Sequence, residues 1–126
     1  MKRNMTKLLR TVELFIPVAC LLFTQSLYAH HSLEDYDTRT VIKIQGQVVG
    51  FKLQDPHSLL FVDAVNSDGS VTHWTIEGGS ASGIARSGIS RQKLSSHPNV
   101  IVHAYGSRNN VCHDNCKASG LDFIFE

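Results

Sequence analysis

The residues with the most chemical promise stand together at one junction. Leu27-Tyr28-Ala29 is followed by His30-His31-Ser32. A chain cut after Ala29 begins with histidine, and a free N-terminal histidine offers one metal ion two nitrogens, its α-amine and its ring. A second histidine would supply a third nitrogen. Nitrogen-rich, flat coordination suits Cu(II), which heads the affinity order among divalent first-row metals. The α-amine has a reference pKa of roughly 7.7–8.0, so binding displaces a proton and weakens in acid. His57 is the expected partner ligand, in a loop stiffened by Asp55-Pro56, with Glu77 or His103 able to approach axially. His31 offers a rival arrangement, a local chelate through its ring, the amine and the intervening backbone nitrogen. The third position is Ser32, so the N-terminal copper motif with histidine third is absent. His73 and Glu77 share a strand face but stand four residues apart, about 13 Å along a strand, too far to hold one ion together.

Plainer readings cover the same residues. His30 and His31 fit a solvated chain end. His57 fits a turn cap, and His73 and His103 fit surface strand positions. Trp74 fits the core, and Glu77 fits an ion pair with Arg86 or Arg91. A second function class needs no metal. In it, His57, His73, Glu77, Arg86 and Arg91 line a polar groove beside Trp74 that binds a peptide, a saccharide or a partner protein. An enzyme is not expected. The chain has no Ser-His-Asp pattern, phosphate-cradling glycine loop or His-Glu-x-x-His motif, and nothing identifies a substrate for a copper-dependent oxidation.

Cys112 and Cys116 bracket His113-Asp114-Asn115. In an oxidising compartment a disulfide is expected, with a metal site as the alternative because the stretch holds four potential ligands. The spacing is not the Cys-x-x-Cys of redox enzymes.

Compartment follows from residues 1–29, which read as a secretory signal peptide. Lys2, Arg3, Lys7 and Arg10 form its positive region, Leu14 to Phe23 its apolar run, and Ala29 the small residue at the cut. The apolar run is shorter than the roughly 20 residues of a transmembrane helix. A retained anchor and a lipid-modified Cys20 are the alternatives, the latter disfavoured because Pro17-Val18-Ala19 is a poor lipobox. The mature chain, residues 30–126, is expected in the periplasm or secreted. It keeps eight basic and ten acidic residues, a formal charge of −2, in place of the +1 of the whole chain. No basic patch remains to bind nucleic acid or an anionic membrane. All seven histidines fall in this part.

The elements that must position these residues are short strands in a single domain. Thr40 to Leu53 alternates apolar and polar residues with a period of two. The alternation slips at Val48-Val49, where Gly46 and Gly50 permit a bulge or bend. Ser58 to Val65 and Val71 to Glu77 read as a hairpin across Asn66-Ser67-Asp68-Gly69. Ser80 can cap a loose helical stretch through Arg86, and Ser90 to Leu94 a second one. Asn99 to Tyr105 and Leu121 to Phe125 complete five strands. Three strands, a short helical insert and two more strands predict an all-β, OB-like five-stranded barrel, with a small open sandwich as the alternative.

Several short strings also carry a likeness. They are His30-His31-Ser32 and Asp37, Gly46-Gln47-Val48, Pro56-His57, Trp74-Thr75-Ile76-Glu77-Gly78-Gly79, and Arg86 with Gly88. In this order they resemble a group of small exported bacterial proteins, domain of unknown function family 6152. The likeness spans nearly all of the mature chain. The chain has Asp55 where the family tends to have Asn, and Ile89 where it often has Trp. Ser95-Ser96-His97-Pro98 replaces a Lys-Pro-Gly-Asp turn, which blurs where the fourth strand begins. The resemblance implies export and fold but brings no activity.

Overall fold

The computed structural model describes residues 33–109 and 112–126. The signal segment, Cys20, His30 and His31 lie outside the described residues. Five strands carry the fold: β1 (Tyr36–Lys52), β2 (Leu59–Val65), β3 (Val71–Glu77), β4 (Asn99–Ser107) and β5 (Asn115–Phe125). Two short helices, α1 (Ala81–Arg86) and α2 (Arg91–Ser95), lie between β3 and β4. The strands close in the order β1-β2-β3-β5-β4. All neighbours are antiparallel except β3 and β5, which run parallel with Trp74 opposite Cys116 and Ile76 opposite Ala118. This is the expected OB-like barrel with a helical insert after strand three.

The period-two pattern sorts side chains into the barrel. Val100, Val102 and Ala104 from β4 meet Leu60 and Val62 from β2, with Ile44, Val48, Ile76 and Ala118 from the other strands. Leu94 of α2 joins the same core. Ser80 caps α1 by accepting from Gly83 N at 3.1 Å, and Ser90 caps α2 by accepting from Lys93 N at 3.1 Å. Each cap satisfies one of the amide donors that a helix start leaves unpaired.

β1 serves two neighbours in turn. Val41 to Gln47 pairs with β4, and Gln47 to Lys52 pairs with β2, with a register shift between Val48 and Gly50. The bend therefore falls where the alternation slips. At Gly46 the strand passes so close to the Asp63 carbonyl of β2 that a Cβ there would overlap it. The turn between β2 and β3 uses Gly69 at φ 84°, in the left-handed region that glycine enters without steric cost.

Three boundaries differ from the pattern. β1 begins at Tyr36 rather than Thr40, because Tyr36 turns inward while Thr38, Arg39 and Thr40 stay exposed and show no alternation. β4 runs on to Ser107. β5 starts at Asn115, inside the cysteine segment, rather than at Leu121. Its first half buries Cys116 and Ala118, residues too small to register as an apolar stripe.

Candidate functional site

His57, Glu77 and Tyr36 meet at one end of the barrel, and each is held there by a different element. His57 follows the cis peptide bond between Asp55 and Pro56. Its loop is tied to the end of β3 by two backbone bonds, Ser58 N to Gly79 O at 2.9 Å and Gly78 N to Ser58 O at 2.8 Å. The buried Ser58 hydroxyl bridges the loop by donating to Gln54 O at 3.2 Å. Ala81 N, at the start of α1, donates to Gln54 O and to the Asp55 carboxylate. The six-residue connection between β1 and β2 is thereby fixed on both sides.

Glu77 is the last residue of β3. Its Oε2 accepts from the Tyr36 hydroxyl at 3.0 Å, and its Oε1 lies 3.5 Å from His57 Nδ1. The same Nδ1 is 3.4 Å from the Gly78 carbonyl oxygen. The His57 side chain is 45% exposed and that of Glu77 21%, so the imidazole is the part a ligand meets first. Tyr36 is buried. Burial first, and then the hydrogen bond to Glu77, push its phenol up to about 12, so it stays protonated and donating. Arg108 fixes the start of β1, its Nε donating to Tyr36 O at 2.8 Å and its amide to Asp35 O at 2.9 Å.

Of the expected ligand and groove residues that are described, His57 and Glu77 come together, whereas His73 and His103 pair elsewhere. Glu77 pairs with Tyr36 and His57 rather than with Arg86 or Arg91, because β3 ends facing the β1–β2 loop and the start of β1. The Arg91 guanidinium instead lies over the Phe51 ring, 5.4 Å from its centre. His73 stands at the other end of β3, opposite Asp63 of β2, with Nδ1 2.6 Å from the carboxylate. The Asp63 hydrogen bond and charge hold its pKa above the ordinary histidine value. His103 of β4 makes the same kind of pair with Asp122 of β5 at 2.7 Å. Trp74 is half-buried and packs on the core. Among the described residues, no three His, Cys, Asp or Glu side chains converge as a metal site.

Cys112 and Cys116 lie at disulfide distance, with a Cα separation of 5.4 Å, in keeping with the disulfide reading of that segment. Among the described residues, no helix is long and apolar enough to cross a membrane. A groove of about 650 Å³ runs between α1 and β5, walled by Ile84, Ile89, Leu121, Phe123 and Phe125. Another of about 730 Å³ lies over Gln45, Gln47, Asp63 and Asn99.

Tyr36 and Arg108 escape sequence reasoning. The available signal is a lone aromatic within Glu34-Asp35-Tyr36-Asp37, a weak one because its partner lies 41 residues away.

The model of DUF6152, a family of unknown function, matches residues 18–115. The chain belongs to this family. The DUF6152 match takes in Tyr36, His57 and Glu77, and it agrees with the resemblance carried by the short strings. No curated protein and no solved structure matches the chain.

Proposed function

We propose that this DUF6152 protein is exported, loses residues 1–29, and binds Cu(II) through the N-terminal His30 with His57 as the completing ligand. The supporting observation is the Tyr36–Glu77 hydrogen bond. It fixes the start of β1 against the carboxylate that flanks His57. Only five residues lie between His30 and Tyr36 in the sequence, so the proposal brings the new terminus to His57 over a short stretch of chain. The α-amine, the His30 ring and His57 would give the three nitrogens that suit Cu(II). The groove of a non-metal module is less well supported, since His73, Glu77 and Arg91 point to separate partners.

Two measurements test the proposal. The mass of the exported protein should correspond to a chain starting at His30. Cu(II) titration should then show binding that collapses when one extra residue precedes His30, and that weakens in His57→Ala. Unchanged affinity and an unchanged electron-spin-resonance spectrum in the extended protein would refute it. An effect of the extension with none from His57→Ala would instead assign the third nitrogen to His31.

A further inference from the structure

We infer that Glu77 is a positioning residue for His57 and not a ligand: with the Gly78 carbonyl it keeps the imidazole proton on Nδ1, so that Nε2 presents its lone pair outward. The inference rests on the copper reading for what Nε2 would bind, but its geometry stands without metal. Two oxygens approach Nδ1, Gly78 O at 3.4 Å and Glu77 Oε1 at 3.5 Å. A backbone carbonyl and an ionised carboxylate can only accept. A ring nitrogen that faces two acceptors carries the proton, and in a neutral imidazole the other nitrogen then carries the lone pair. Nε2 makes no hydrogen bond among the described residues, and the side chain is close to half exposed.

Both acceptors are themselves held. The Gly78 carbonyl is carried on the backbone that Ser58 stitches from both sides. Glu77 is anchored through its other oxygen, Oε2, by the Tyr36 hydroxyl, which turns Oε1 toward the ring. Each Glu77 oxygen already faces a protein partner, Oε2 the Tyr36 hydroxyl and Oε1 the His57 ring, which favours a positioning role. A histidine that binds metal through one nitrogen generally donates its other N–H to a carboxylate or carbonyl, which sets its tautomer and raises its basicity. The arrangement around Nδ1 is of that kind. It separates two roles that the sequence left merged: His57 touches the ligand, and Glu77 and Tyr36 act through it.

The test reads the tautomer in the metal-free exported protein, above the histidine titration range. Long-range proton–nitrogen correlation on ¹⁵N-histidine-labelled protein should place the His57 proton on Nδ1. Glu77→Ala should give a mixture of tautomers and weaken Cu(II) binding about 10–100-fold, the usual effect of losing such a partner. The copper electron-spin-resonance spectrum should be unchanged. A wild-type proton on Nε2 overturns the inference, as does a copper spectrum that loses an oxygen ligand in Glu77→Ala. If Cu(II) does not bind but the proton sits on Nδ1, the copper reading fails and the positioning role stands. If Glu77→Ala does not fold, the wild-type tautomer alone decides.

Discussion

A methyl group added at Gly46 should damage this protein far more than one added at two other glycines. Gly46 lies where β1 crosses β2. A Cβ at this position would overlap the Asp63 carbonyl oxygen, lie 2.8 Å from its carbonyl carbon, and lie 2.9 Å from Val62 Cγ1. Overpacking that side chains can absorb costs about 1–3 kcal/mol. Here two of the three obstacles are backbone atoms of a residue paired on both sides, with Gln47 of β1 and His73 of β3. Relief requires shifting β2 against two neighbours, so Gly46→Ala should cost about 3 kcal/mol or more, at the top of that range. For a domain of this size, that is a fall in Tm of roughly 12–24 °C.

Two controls grade the effect. At Gly50 the nearest atom is Phe61 Cδ2 at 3.3 Å, a ring edge that can give, so Gly50→Ala should cost about 1 kcal/mol or less. At Gly79 nothing lies within 4 Å, and Gly79→Ala should stay within about 0.5 kcal/mol of wild type. Thermal and urea unfolding followed by circular dichroism gives the three values, with equal m-values confirming that the native states are being compared. A Gly46→Ala melt within about 4 °C of the Gly50→Ala melt would refute the claim that β2 cannot yield at the crossing.

Two further outcomes follow from surface and covalent features. Asp63 raises the His73 pKa, so the stabilisation from this pair is fully present below the ordinary histidine pKa and is lost as pH rises through the raised native value. Asp63→Asn should therefore lower the His73 pKa in an NMR titration and cost more stability near about pH 5 than near about pH 8; an equal cost at both would refute the pairing. The Cys112–Cys116 bond closes a very short loop, for which the chain-entropy model gives about 2 kcal/mol. Cys112→Ser should lower Tm by roughly 8–16 °C, whereas no change would mean that the loop is equally ordered without the bond.

The barrel was legible because β2 is an apolar run of strand length, β3 alternates, and a glycine turn joins them. Slipped alternation at Val48-Val49 was also enough to locate the bend in β1. The start of β1 was not legible, because a strand exposed along Thr38-Arg39-Thr40 has no apolar period to display. The first half of β5 was hidden for another reason: parallel pairing beside β3 leaves room there for Cys116 and Ala118, and small residues carry little hydropathy. His57 and Glu77 could be named as candidates from residue type. Their contact could not, since it depends on how Ser58 locks the β1–β2 loop to Gly78 and Gly79. Tyr36 was out of reach because its partner Glu77 lies 41 residues away, on β3.

The parallel seam between β3 and β5 has a consequence for when this protein can fold. β5 is the last strand, and it is hydrogen-bonded to both β3 and β4. Until residues 115–125 arrive, β3 and β4 each keep an open edge, and open edges recruit other chains. β1 must likewise wait for β4, with Tyr36 opposite Ser107 roughly seventy residues later. Pairings so distant in the chain close slowly, because the loop entropy is spent before the contacts form. A nascent chain of this design cannot finish its barrel piecemeal during synthesis.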